Sequence, residues 1–286
     1  MLEIVFHFLN GFLMIGMPVG LAIFLTRRFK LGWRLWWIGA ATFVLSQVGH
    51  IPFNALVGLI LNRTGYVLWT PGQQLLFTSI FAGLSAGLFE ELFRYGMFRW
   101  WARDARSWRK GVLAGAGHGG AEAIVLGAIV VYGFIQLLIL RSADLSKLYS
   151  GATLATAIQQ VKAYWSAPLP ATLLGALERF FTIPIQISLA VIVLQTFTRK
   201  QGFWVWLAVL YHALIDAASV YLAKPLGNNI ELMVGGFAVA SVIIIFALRQ
   251  PEPPAEAAAP TLAPTTAPVI RPVDATKENL DNTRFN

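Results

Sequence analysis

Residues 112–140 read VLAGAGHGGAEAIVLGAIVVYGFIQLLIL, 29 positions in which His118 and Glu122 are the only acidic or basic side chains apart from a tyrosine phenol. At about 1.5 Å of rise per residue, a helix over this stretch outreaches the roughly 30 Å hydrocarbon core of a bilayer. Six comparable runs flank it, over 3–25, 36–61, 74–98, 170–197, 203–223 and 229–248. Composition agrees with this reading. Apolar residues make up 57% of the 286 and charged residues 13%, about half the usual share for a soluble domain. The mean hydropathy is +0.63. The expectation is an all-α, polytopic transmembrane helix bundle of about seven spans, multi-pass in the cell membrane with lipid as its surroundings.

The formal charge of +8 does not indicate nucleic-acid binding, because Lys and Arg lie between the apolar runs and form no groove-sized patch. Their placement carries orientation instead. Arg27, Arg28, Lys30 and Arg34 fill the first loop, and Arg99, Arg103, Arg106, Arg109 and Lys110 the third. Arg199 and Lys200 fill the fifth. The second and sixth loops hold only Arg63 and Lys224. The positive-inside rule then places the N-terminus outside and the C-terminus inside. The first 30 residues lack a basic leader and a small-residue cleavage site, so they read as a retained span. Cysteine is absent, which excludes a thiol nucleophile and thiolate metal ligation.

Two segments are not spans. Residues 141–169 form a long external connection in which Leu154, Ile158, Val161 and Trp165 share one helical face. That pattern predicts an interfacial amphipathic helix, either a plain surface element or a gate. The chain divides into a transmembrane bundle over 1–250 and a Pro/Ala-rich extension over 251–286, whose lack of periodicity predicts a disordered cytosolic tail.

The informative residues are the ionisable ones at mid-membrane depth. Such groups are expensive in lipid and tend to face a cavity and carry function. Span three has Glu90, Glu91 and Arg94, and span four His118 and Glu122. Span five has Glu178 and Arg179, and span six His212 and Asp216. Span two adds His50 and Asn54, whereas His7 lies near a helix end and reads as incidental. Counted from the flanking loops, Glu90, His118, Glu178 and His212 each lie about 12–15 Å deep. Four helices therefore bring polar groups to nearly one level.

Glu90–Arg94, His118–Glu122 and His212–Asp216 are i,i+4 pairs, so the members of each pair share a helix face. Glu90 and Glu91, being adjacent, must diverge. Any one motif has a plain structural reading, such as an ion pair or a histidine bonded to a carbonyl, and it is the common depth that argues for a site. With neutral histidines, Glu90, Glu91, Glu122, Glu178 and Asp216 exceed Arg94 and Arg179 by three charges. Protonation or a bound cation must offset that excess. His118, Glu122, Glu178 and His212 are candidate ligands for Zn2+, with a metal-free glutamate mechanism as the alternative. Gly115, Gly117, Gly119 and Gly120 let another helix or a substrate backbone approach His118.

The order of these motifs resembles the YhfC family of intramembrane metalloproteases. They are Glu90-Glu91-Leu-Phe-Arg94-Tyr95, Gly117-His118-Gly119-Gly120-Ala-Glu122, Leu177-Glu178-Arg179 and Tyr211-His212-Ala-Leu-Ile-Asp216, with Gly49-His50-Ile-Pro-Phe-Asn54 in span two. The pattern is also similar to the CPBP group, which includes the CAAX prenyl proteases. The resemblance implies an endopeptidase acting on a membrane-embedded or lipid-modified polypeptide. A glutamate (Glu90 or Glu91) and His118 would activate water, Arg94 would orient the glutamates, and His212 with Asp216 would bind the oxyanion or complete a metal shell. Two positions depart from the resembled patterns. Ala114 stands where the CPBP pattern has phenylalanine, and Gln186 stands where the YhfC pattern often has a histidine. A non-enzymatic reading, as a proton- or cation-coupled transporter or an immunity-type protein, uses the same buried residues.

Overall fold

Every apolar run expected to cross a membrane is a helix in the computed structural model, which describes residues 1–251. The helices are α1 (Leu2–Phe29), α2 (Arg34–Arg63), α3 (Pro71–Gly96), α4 (Trp108–Ser142), α5 (Gly151–Trp165), α6 (Leu174–Thr198), α7 (Phe203–Leu226) and α8 (Ile230–Ala247). Six apolar helical runs are long enough to cross, and the last, Phe203–Ala247, spans 45 residues. A turn at Gly227, where φ is positive at 51°, divides that run into α7 and α8, so the described residues hold six to seven candidate crossings. The protein is a multi-pass, all-helical membrane protein. The expected tail lies outside the described residues.

Local sequence explains the helix ends that matter. Thr70 caps α3 through a reciprocal capping box with Gln73, and Pro71 starts the helix. At its other end α3 closes with a π-helical turn over Met97–Trp101, in which the Ala102 N–H donates to the Met97 carbonyl at 2.8 Å. The loop that follows is tied to α2, since the Arg34 guanidinium grips both oxygens of Asp104 at 2.9–3.0 Å. That guanidinium holds the Asp104 carboxyl below its usual range.

Close helix contacts centre on glycines. A Cβ on Gly39 of α2 would lie 2.0 Å from the Ala114 carbonyl oxygen, and one on Gly117 of α4 would lie 2.0 Å from that of Trp36. The two backbones therefore touch where His118 projects. Gly83 and Gly87 of α3 meet the Ala213 and Val209 carbonyls of α7 in the same way, two turns and one turn before Glu91 and beside His212. Gly115 and Gly119 pack on Ile187 and Gln186 of α6. The glycines around His118 thus admit neighbouring helices.

The expected amphipathic helix is α5. Its Trp165 is buried and donates from Nε1 to the Leu137 carbonyl of α4 at 3.2 Å. His7 is not incidental: it is buried, stacks on Tyr164 at 3.9 Å and meets Trp165 edge-on at 5.3 Å. It pins α5 to α1. A single histidine near a helix end carries no periodic signal, so sequence gave no sign of this contact.

Candidate functional site

Glu90 and Glu91 diverge, as adjacent helical residues must. Glu90 accepts from Gln47 Nε2 on α2 at 3.0 Å through Oε1. Its Oε2 lies 3.0 Å from His118 Nε2 on α4. Glu91 is fully buried and binds two cation-forming groups through one oxygen: Arg94 Nη1 at 2.5 Å and His212 Nδ1 at 2.8 Å. Sequence spacing paired Arg94 with Glu90, but the structure pairs it with Glu91. At i,i+3 the Glu91 side chain lies over the same turn, whereas Glu90 is turned toward α2 and α4.

A second cluster sits beside the first. Arg179 of α6 donates to Glu122 of α4 at 2.6 Å and is also paired with its neighbour Glu178, so it ties α6 to α4. Gln186 joins the clusters. Its amide oxygen accepts from Arg94 Nη2 at 2.6 Å, and its Nε2 donates to Glu122 Oε2 at 2.8 Å and to Glu90 Oε2 at 3.5 Å. An amide suits this place because it accepts from a cation and donates to carboxylates at once. His118 and Glu122, though i,i+4, bond to different helices. His212 and Asp216 remain a pair, with Nε2 3.5 Å from Oδ2.

These groups surround a cavity of about 150 Å3 lined by Glu90, Glu122, Glu178, Arg179, Gln186, His212 and Asp216, with Thr182, Ser219 and apolar neighbours. Glu91, Arg94 and His118 do not line it; they stand behind the residues that do. His118 packs edge-on against Phe43 at 5.4 Å, and its Nδ1 finds no hydrogen-bond partner among the described residues. Side-chain exposure rises from 8% at Glu90 through 18% at Glu122 and 37% at Asp216 to 44% at Glu178. The cavity therefore opens toward the bundle end where α6 and α8 begin. None of its lining residues comes from α5.

The expected metal ligands do not meet. His118 is engaged by Glu90, His212 by Glu91, and Glu122 and Glu178 share the Arg179 guanidinium. Among the described residues, no three histidine, aspartate or glutamate side chains converge as a metal site. The donor types suit zinc, but this arrangement does not fit it: the positive charge beside two of the four ligands is already an arginine.

Sequence reasoning missed three participants. Gln47 was legible as a polar residue one turn before His50, and that histidine contacts Gln47, Ser85 and Asn54 rather than the cavity. Gln186 registered only as a departure. Glu231, in the first turn of α8, is buried beside Glu178 and Arg179, and its Oε2 has no partner among the described residues. A glutamate at a span end looks like an interfacial residue from sequence.

The comparisons with known proteins fit this architecture. A family model described as YhfC intramembrane metalloprotease matches residues 13–238, which include every cavity-lining residue. The chain is similar to the uncharacterized membrane protein YhfC of Bacillus subtilis (strain 168), 27% identical over 249 residues that cover 84% of this chain and 93% of that protein. No solved structure matches. With four-fifths of its length under that model, the chain belongs to the YhfC intramembrane metalloprotease family.

Proposed function

We propose that this chain is an intramembrane endopeptidase that hydrolyses a peptide bond in a membrane-embedded or lipid-modified polypeptide, with Glu90 as the base that activates water. The observation that carries this reading is the division between the two glutamates. Glu90 lines the cavity with Gln47, His118 and Gln186 as its partners, while Glu91 is closed in by Arg94 and His212. The family's name supports the reaction class.

The steps follow from the side chains. A water in the cavity gives a proton to Glu90, and its oxygen bonds to the scissile carbonyl carbon. His118, 3.0 Å from Glu90, holds the carboxyl group in place. In its doubly protonated form His212, fixed at Nδ1 by Glu91, donates from Nε2 to the developing oxyanion, with Asp216 beside it. Glu90 then passes the proton to the departing amine as the C–N bond breaks. Arg94 and Gln186 are positioning residues. Glu122, Glu178 and Arg179 brace α4 against α6 and line the route by which water enters. Because the donor arrangement does not fit a metal, no step is assigned to one.

The test uses purified chain in proteoliposomes with fluorogenic membrane-spanning peptides. Glu90→Gln is expected to lower the cleavage rate by about 10²–10⁴-fold, the usual worth of general-base catalysis. His212→Ala is expected to lower it by about 10²–10³-fold, the usual worth of an oxyanion donor. A chelator should leave the wild-type rate unchanged. Full activity in Glu90→Gln sinks the proposal, and loss to chelator with recovery on zinc sinks the metal-free chemistry. The Glu90→Gln chain also serves as a trap for natural substrates.

A further inference from the structure

On the opposite side of α6 from the carboxylate cavity lies a larger opening of about 690 Å3, walled by α1, α4, α6 and α8. Its volume falls within the ~300–1,000 Å3 of pockets that hold small molecules. The walls are apolar, and Phe24, Phe180 and Phe246 stand at its edge with most of their surface exposed. One end differs. Arg28 in the last turn of α1, Arg109 in the first turn of α4 and Arg249 just past α8 all line it there. Trp108 fixes that end, donating from Nε1 to the Ile245 carbonyl at 2.7 Å, with the Arg249 guanidinium 5.1 Å over its ring.

An apolar slot along membrane helices that ends at the Arg28 and Arg249 guanidinium groups is complementary to a long acyl chain carrying a phosphate. We propose that this crevice binds a single anionic phospholipid, with an acyl chain along the α1–α6–α8 wall and its phosphate between Arg28 and Arg249. The occupant is a resident lipid rather than the lipid part of a substrate, because α6 stands between the two openings. The α6 residues facing the crevice are 180, 183, 184 and 187, while 178, 179, 182, 185 and 186 face the cavity. A polypeptide anchored in the crevice would present its bonds to the wrong side of α6. The choice of a resident lipid over a substrate lipid rests on the hydrolytic reading of the cavity, whereas the binding of an anionic lipid does not.

Native mass spectrometry of the full chain in detergent tests it, with phosphatidylglycerol and phosphatidylcholine of identical acyl chains as probes. Wild type is expected to retain one phosphatidylglycerol under activation that strips phosphatidylcholine. Arg28→Gln combined with Arg249→Gln should weaken that retention by on the order of 10-fold or more, since each basic group near a lipid surface contributes about one logarithmic unit or slightly less. Gly20→Leu offers a second variant that keeps the charges. Gly20 lines the crevice and an added Cβ meets nothing within 4 Å, so the larger side chain fills the slot and should reduce binding of both lipids. Equal retention of the two lipids by wild type overturns the proposal, as does unchanged phosphatidylglycerol binding in both variants. Displacement of phosphatidylglycerol, one for one, by a prenylated peptide would assign the crevice to substrate and overturn it too.

Discussion

Glu91 has no route to solvent, and its removal would strand the Arg94 guanidinium among amides in the bundle interior. Removing one member of a buried ion pair usually costs about 3–5 kcal/mol. Glu91→Gln is therefore expected to lower the thermal midpoint of the purified chain strongly. Glu90→Gln, whose partners are Gln47, His118 and Gln186, should leave the midpoint close to wild type. Equal midpoints in the two variants would refute this division of roles. The sequence placed both glutamates inside one apolar span and required them to diverge. It did not say which faces the cavity, because that depends on how α3 is rotated against α2 and α7. Gln186 shows the same limit. Its type was read only as a departure from the resembled pattern, and only its neighbours reveal an amide that both donates and accepts between two charged clusters.

At the scale of elements, the crossing of α2 over α4 sets where His118 stands. Gly117→Val would push against the Trp36 carbonyl, and overpacking of this kind costs about 1–3 kcal/mol or more when the obstacle is backbone. Gly133→Val on the same helix meets nothing and serves as the control. A lower midpoint and slower cleavage are expected in the first alone. The α3–α4 loop offers a test in pH. Asp104 has its pKa depressed below the ordinary 3.8 by the Arg34 hydrogen bonds. Its contribution is thus complete above about pH 4 and disappears as pH falls through the lower folded value. Both partners are about half exposed, so the effect is limited to roughly 0.2–1 kcal/mol. Acid titration of wild type against Asp104→Asn, read by thermal midpoint, should show the two converging below that range and not above it. All seven spans and α5 were legible from apolar run length and periodicity, since these depend on local composition. The glycine contacts were legible as small residues near His118, but whether a helix or a substrate met them required the tertiary arrangement.

For the whole molecule, the helix bundle and the family agree with one another, while the ligands inferred from residue types do not converge among the described residues. Types alone cannot distinguish a carboxylate that awaits a cation from one that already has an arginine, as Glu122 and Glu178 do. The rise in exposure from Glu90 to Glu178 has a further consequence. A chamber that opens at one end exchanges water and protons with one compartment only, so the proposed hydrolysis would sense acidity vectorially. The charge bias of the loops predicts that this compartment is the exterior. In oriented proteoliposomes, acidifying the side where α6 begins should change the cleavage rate, and acidifying the opposite side should not. A rate that follows either side equally would mean that the chamber has a second entrance.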